Sequence, residues 1–310
     1  MTDMEYAPLG WSGIKVSKVC LGGMSFGKAS PEFHQWTIDA DATERVIGHA
    51  YDRGVNFIDT ANCYAFGTSE EYIGRALRNL GIPRDKVVLA SKVYFNEGHL
   101  SREAIEREID ATLKRLGTDY LDLYIIHRFD YGTPIEETME ALDSLVKAGK
   151  VRALGASEMY AYQFHTMQTV AEANGWTKFT SMQCHYNLLY REDEREMIPV
   201  CRQYDVALTP YSPMASGHLT HMGWDSDSKR GSTDGTMRNK YDQARAGHAD
   251  HRTRARDRRA ARRADGAGRP RLALGQGRDG SPRRLFEAGT RGRCHRGARR
   301  ASERQRHRLP

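Results

Sequence analysis

From Val16 to about Pro210 short apolar runs rich in β-branched residues alternate with longer segments of helical period, and few folds accommodate that pattern. Seven strands are predicted: Val16–Leu21, Val55–Asp59, Val87–Lys92, Tyr120–His127, Val151–Gly155, Phe179–Gln183 and Val206–Pro210. Runs such as Tyr120–Ile126 are apolar almost throughout, which suits a parallel sheet covered by helices on its faces. Between the strands, Ile105, Ile109, Leu113 and Leu116 recur at three to four positions and form one helical stripe. Thr68 with Glu71, and Thr133 with Glu136 next to Pro134, read as capping boxes. Gly81, Gly117 and Gly149 stand where left-handed C-caps would end helices. The pattern leaves two architectures, a (β/α)8 barrel and a doubly wound sheet.

Barrel enzymes carry their chemistry where the strands end. Asp59 closes the second predicted strand, Lys92 the third and His127 the fourth, and Tyr64 follows Asp59 in the next loop. Singly, each has an ordinary reading: a turn cap, a rim charge, a satisfied histidine, a loop aromatic. Together they suit carbonyl reduction, in which a nicotinamide supplies hydride to the carbonyl carbon and a side chain supplies a proton to its oxygen. A tyrosine with its usual pKa near 10 is a poor acid at neutral pH. An adjacent ammonium, Lys92, is expected to lower that value, with Asp59 holding the lysine and His127 orienting the substrate carbonyl.

The run Gly54-Val55-Asn56-Phe57-Ile58-Asp59-Thr60-Ala61-Asn62-Cys63-Tyr64, followed by Gly67-Thr68-Ser69-Glu70 and Ile73-Gly74, resembles the aldo-keto reductase signature. The matching lysine lies in Leu89-Ala90-Ser91-Lys92 and the matching histidine in Tyr124-Ile125-Ile126-His127. The resemblance implies a (β/α)8 TIM barrel and a catalytic tetrad of Tyr64, Lys92, Asp59 and His127. It implies a cofactor, NADP(H) by family expectation with NAD left open, and a small-molecule carbonyl substrate as the partner. Ser157 and Gln183 resemble the residues that hold the nicotinamide carboxamide, and Tyr211, in Tyr211-Ser212-Pro213, the one that stacks on its ring. Gly217 and Leu219 match the loop near the pyrophosphate. Glu158 departs from the pattern, since many relatives carry asparagine there, and so does Asn62, often aspartate. Arg128-Phe129-Asp130 and Tyr160-Ala161-Tyr162-Gln163-Phe164 resemble bacterial relatives of aryl-alcohol dehydrogenases, and aromatic residues at a barrel mouth could stack a planar substrate.

The net charge of +7 hides two opposed parts. Residues 251–310 hold 20 Arg and 5 acidic residues, a net of +15, whereas the first 250 carry −8. Residues 251–310 also lack Val, Ile, Met, Trp, Tyr, Lys and Asn, so they cannot supply the eighth strand and last helices of a barrel. The expected organisation is therefore a barrel over residues 1–243, readable to seven strands, and an Arg-rich, disordered segment over 244–310. Read one base later, with suitable third bases, the codons from His248 onward can spell M-P-I-I-E-R-V-H-E-I-A-E-R-R-G-V. From Gly268 they can spell V-A-L-A-W-L-L-A-K-G-V-T-A-P-L-V-G-S-S-K-P-A-H, which resembles the family's eighth strand and its loop for the adenosine phosphate. A single-base frameshift near Ala244–Gly247 accounts for both strings, and a chain lacking that loop is expected to bind NADPH weakly.

Five scattered cysteines without a C-x-x-C pair suggest neither a disulfide framework nor a zinc site, and a reducing, cytoplasmic location is expected. Met1–Gly10 does not read as a signal peptide, and no stretch approaches the ~20 apolar residues of a membrane helix. Two other functions are less favoured. The Arg-rich segment could bind nucleic acid by counterion release, but it lacks interleaved aromatics. A non-catalytic, cofactor-sensing subunit would not need the complete tetrad.

Overall fold

The computed structural model describes residues 4–220 and 229–234. A short antiparallel hairpin, β1 (Tyr6–Pro8) and β2 (Lys15–Ser17), precedes seven parallel strands. These are β3 (Cys20–Gly22), β4 (Phe57–Asp59), β5 (Val88–Val93), β6 (Leu121–Ile126), β7 (Val151–Ser157), β8 (Phe179–Gln183) and β9 (Ala207–Leu208). They lie side by side in chain order. Each of the six crossovers contains a helix: α1 (Ala40–Asp52), α2 (Thr68–Asn79), α3 (Arg102–Leu116), α4 (Ile135–Lys147), α5 (Ala161–Asn174) and α6 (Met197–Gln203). A short helix α7 (Lys229–Thr233) completes the described residues.

Strand order separates the two architectures left open by the sequence. A doubly wound sheet reverses its order at a switch point, and here there is no reversal. Closure is visible in one contact: Gln183 Nε2, at the end of β8, donates to Asp59 Oδ2, at the end of β4, at 3.0 Å. Four strand spacings in a flat sheet would separate those strands by about 19 Å. The sheet is therefore curled as an incomplete (β/α)8 barrel, with β3 and β9 as edges among the described residues.

The period of two along each strand sorts the apolar residues into two cores. Ile58, Leu89, Tyr124, Ile126, Leu154 and Met182 face outward and pack beneath the helices. Phe57, Val88, Ala90, Leu123, Ile125 and Ala153 face inward, and Leu9 and Val16 of the hairpin join them. At the strands' C-terminal ends the same alternation turns Asp59, Lys92, His127, Ser157 and Gln183 inward, so the polar layer follows directly from the apolar one beneath it.

Three expectations need correction. The predicted strand Val16–Leu21 is two strands, because Ser17 Oγ donates to Val19 O and Asn56 Oδ1 accepts from Ser17 N, turning the chain between β2 and β3. Neither capping box forms. Thr68 Oγ1 donates to Ala65 O and accepts from Lys28 N, while Thr133 Oγ1 donates to Asp130 Oδ2. Side chains that do cap include Asp39 on α1, Ser101 on α3 and Gln163, whose Oε1 accepts from Tyr160 N at the start of α5. Gly81, Gly117 and Gly149 all take positive φ, as expected of helix ends. Residues 244–310, with the expected Arg-rich segment, frameshift and missing eighth strand, lie outside the described residues. Among the described residues no helix is long and apolar enough to cross a membrane.

Candidate active site at the C-terminal ends of the strands

Lys92 is the centre of the polar layer and is fully buried. Its Nζ ion-pairs with Asp59, donates to Thr60 O at 2.7 Å, and reaches Tyr64 Oη at 3.3 Å. All three ammonium protons are thereby directed, which fixes the side chain without solvent. Burial alone would depress the ammonium's pKa, but the Asp59 carboxylate, with the Tyr64 oxygen beside it, outweighs burial and holds it above the ordinary lysine value.

Tyr64 owes its place to a sharp turn. The two residues after it, Ala65 (φ 47°) and Phe66 (φ 55°), are left-handed without being glycine, an arrangement that costs about 1 kcal/mol or more per residue. Thr68 ties the turn down through Ala65 O. Burial raises the Tyr64 phenol above its ordinary value; Lys92 pulls it down and Asp59 pushes it up. The expected lowering of the phenol's pKa is thus reversed, because burial raises it and Asp59 offsets part of the ammonium charge.

His127 follows β6, with its ring edge-on to Tyr64 at 5.8 Å between centroids. Burial, and then the cations Lys92 and Arg128, hold its pKa well below the usual histidine range, so the imidazole is neutral at pH 7. Its Nδ1 lies 3.9 Å from Cys63 Sγ. Burial pushes that thiol up to about 11, so Cys63 keeps its proton.

The residues expected at the nicotinamide gather on the opposite side. Ser157 Oγ donates to the backbone oxygen of Gln183, and Gln183 Nε2 holds Asp59. Gln183 Oε1 takes no hydrogen bond among the described residues, which leaves an amide acceptor beside the tetrad. Tyr211 lies parallel to His185 at 5.1 Å, and His185 in turn stacks on Tyr190 at 4.3 Å. Asn187 Nδ2 contacts His185 and donates to Ser212 O, tying this stack to the loop that carries Ser212, Pro213, Gly217 and Leu219. That loop repeats the left-handed geometry of the Tyr64 turn, at Ser212, Ala215, Ser216 and Gly217. An unspent amide acceptor and a buttressed aromatic ring fit a carboxamide-bearing heteroaromatic ring such as nicotinamide.

Sequence reasoning missed several participants. The bond from Lys92 Nζ to Thr60 O joins neighbouring strands and that from Gln183 Nε2 to Asp59 spans the curl of the sheet, and neither has a local signal. Phe33, 6.5 Å from the Tyr64 ring, and Phe95, 5.1 Å from the His127 ring, line the site from loops of irregular sequence. Other expected mouth residues lie elsewhere. Phe164 is core, stacked on Phe179, and Asp130 is structural, accepting from Leu100 N, Gly132 N and Thr133. Glu70, in the quoted signature, is buried and joins Arg115 to Ser91. Tyr160 and Tyr162 do stay exposed, as a stacked pair.

The Aldo/keto reductase family profile matches residues 18–261. An aldo-keto reductase of Fusarium vanettenii is 46% identical over 70% of this chain and 66% of its own length. The versiconal hemiacetal acetate reductase of Aspergillus parasiticus is 45% identical over 74% of this chain and 73% of its own. A Schizosaccharomyces pombe protein, whose name as an aryl-alcohol dehydrogenase is itself provisional, is 43% identical over 69% of each chain. The matched stretch thus spans about two thirds of the length of these relatives. With its strand order, its closure contact and the cluster around Lys92, this chain belongs to the aldo/keto reductase family.

Proposed function

We propose that this protein reduces aldehydes or ketones to alcohols, reversibly, with NADP(H), and that Tyr64 is the proton donor. The observation that carries the reading is the buried Lys92 ammonium shared between Asp59 and the Tyr64 hydroxyl. Ser157, Gln183 and Tyr211 would hold the nicotinamide, which when bound supplies hydride to the carbonyl carbon.

The carbonyl oxygen is received between Tyr64 Oη and His127. Because its pKa is raised, Tyr64 carries its proton throughout the neutral range and can deliver it as charge develops on that oxygen. Lys92, already hydrogen-bonded to Oη, stabilises the tyrosinate left behind, and Asp59 keeps the ammonium from swinging away. The Cys63 thiol facing Nδ1 of the neutral His127 favours the tautomer with the hydrogen on Nε2, which makes Nε2 a donor toward the carbonyl oxygen. Exposed Phe66 and Phe95 and the nearby Phe33 offer faces for a planar substrate.

The test is Tyr64→Phe in the full chain, assayed for alcohol product at NADPH of about 1 mM, a level chosen for weak cofactor affinity. Loss of a positioned general acid predicts a fall in turnover of about 10²–10⁴-fold with unchanged far-UV circular dichroism. Turnover equal to the parent's would remove Tyr64 from the role.

A further inference from the structure

Arg128 and Glu158 face each other across the ends of β6 and β7, immediately beyond His127 and Ser157. Arg128 Nη1 lies 3.5 Å from Glu158 Oε2, a long, single contact on a side chain that is 47% exposed. Nε and Nη2 of Arg128 make no hydrogen bond among the described residues. Those two donors form the edge of a guanidinium that matches a carboxylate bidentately. The guanidinium carbon stands 5.7 Å from the centre of the Phe95 ring, which is half exposed. Phe95 in turn packs edge-on against His127, and His127 against Tyr64. A proton donor, a carbonyl-orienting group, an exposed aromatic face and an unspent guanidinium edge therefore follow one another along one wall of the site.

Glu158 reinforces this reading. Its backbone is left-handed (φ 46°), a conformation that suits asparagine or glycine and that a glutamate adopts only at a cost. Its carboxylate meets the guanidinium through Nη1 alone, and the Nε–Nη2 edge has no hydrogen bond among the described residues. It is a resident counter-ion, screened by solvent and weak enough for a ligand anion to work beside it.

We infer that Arg128 is a specificity-determining residue for an anionic group on the substrate, and that the preferred substrates are planar aromatic aldehydes or ketones bearing a carboxylate remote from the carbonyl. The inference rests on the reductase reading of the same site. The aromatic ring lies against Phe95, the carbonyl between Tyr64 and His127, and the carboxylate on the Nε–Nη2 edge of Arg128.

The experiment compares 4-formylbenzoate with its neutral methyl ester, using the full chain and NADPH. The acid is expected to have the higher kcat/KM by about tenfold, the order of one charge-assisted pair at a solvent-accessible site. Arg128→Gln should bring the ratio to about one, Arg128→Lys should keep part of it because charge survives without the fork, and Glu158→Gln should enlarge it by removing the competing carboxylate. Calorimetric binding of 4-(hydroxymethyl)benzoate against its methyl ester, which needs no turnover, is measured in parallel. Discrimination in binding that Arg128→Gln abolishes, without reduction of either aldehyde, would keep the anion site and reject the reductase reading. Reduction of acid and ester at equal kcat/KM, or a preference that survives Arg128→Gln, would overturn the anion site and leave the reductase reading standing. Equal binding of acid and ester would overturn it as well.

Discussion

Replacing Lys92 by methionine keeps most of the side chain's volume and removes one charge from the interior. Asp59, only 11% exposed at its side chain, would be left with Gln183 Nε2 as its remaining partner, and Thr60 O would lose its donor. Because Lys92 is fully buried, screening by water discounts the ion pair little, and removing one partner of such a pair costs about 3–5 kcal/mol. Asp59→Leu should cost a similar amount by stranding the ammonium. Lys92→Met with Asp59→Leu removes both charges, so the double variant should be less destabilised than the sum of the singles by about 2 kcal/mol or more. Urea denaturation followed by circular dichroism at pH 7.5 measures all three. Single losses below about 1 kcal/mol that simply add would mean that the pair is solvated and that Lys92 is not a buried ammonium anchored by Asp59.

Gly74→Ala should destabilise the fold by about 2–3 kcal/mol in the same assay, because its new methyl would lie 2.2 Å from Leu116 O where α2 crosses the end of α3. Burial, with Glu158 and Glu192 nearby, pushes the Asp193 carboxyl up to about 6. An acid whose folded pKa exceeds its unfolded one loses stability as pH rises between the two values, so Asp193→Asn should add about 1 kcal/mol at pH 8, after allowance for its partial exposure, and the gain should vanish by about pH 3. The raised phenol of Tyr64 makes alcohol oxidation, which needs the tyrosinate, climb steadily with pH to beyond 9, whereas carbonyl reduction should stay flat from pH 6 to 9. A plateau of oxidation near pH 7 would show that the phenol is instead lowered.

The strands were legible because a buried parallel strand needs apolar residues on both faces, and Val88–Val93 or Leu121–Ile126 carry that need in their own sequence. The candidate tetrad was legible for a related reason: the inward face of each strand continues into its terminal polar residue, so Asp59, Lys92 and His127 stand out against the runs they end. What was hidden depends on partners remote in the chain. Thr68 and Thr133 carry good capping patterns, yet each hydroxyl is taken by a loop group, Ala65 O or Asp130, that local periodicity does not weigh. The break within Val16–Leu21 is made by Asn56, 39 residues from Ser17. The reversal of the Tyr64 pKa likewise comes from the balance of burial against the Lys92 and Asp59 charges, which the pairing of β4 with β5 brings together beside the turn that carries Tyr64. Arg128 and Glu158 are adjacent only because β6 and β7 are neighbours.

The most direct test of the central claim follows a labelled hydride in the full chain. Reduced cofactor carrying deuterium in both C4 positions of its dihydronicotinamide is incubated with benzaldehyde and excess protein, and the benzyl alcohol is examined by mass spectrometry. The account predicts alcohol carrying one deuterium on its carbinol carbon, formed by the parent chain and slowed at least about 100-fold by Tyr64→Phe. Alcohol without the label, no alcohol at all, or equal rates in the two proteins would contradict it.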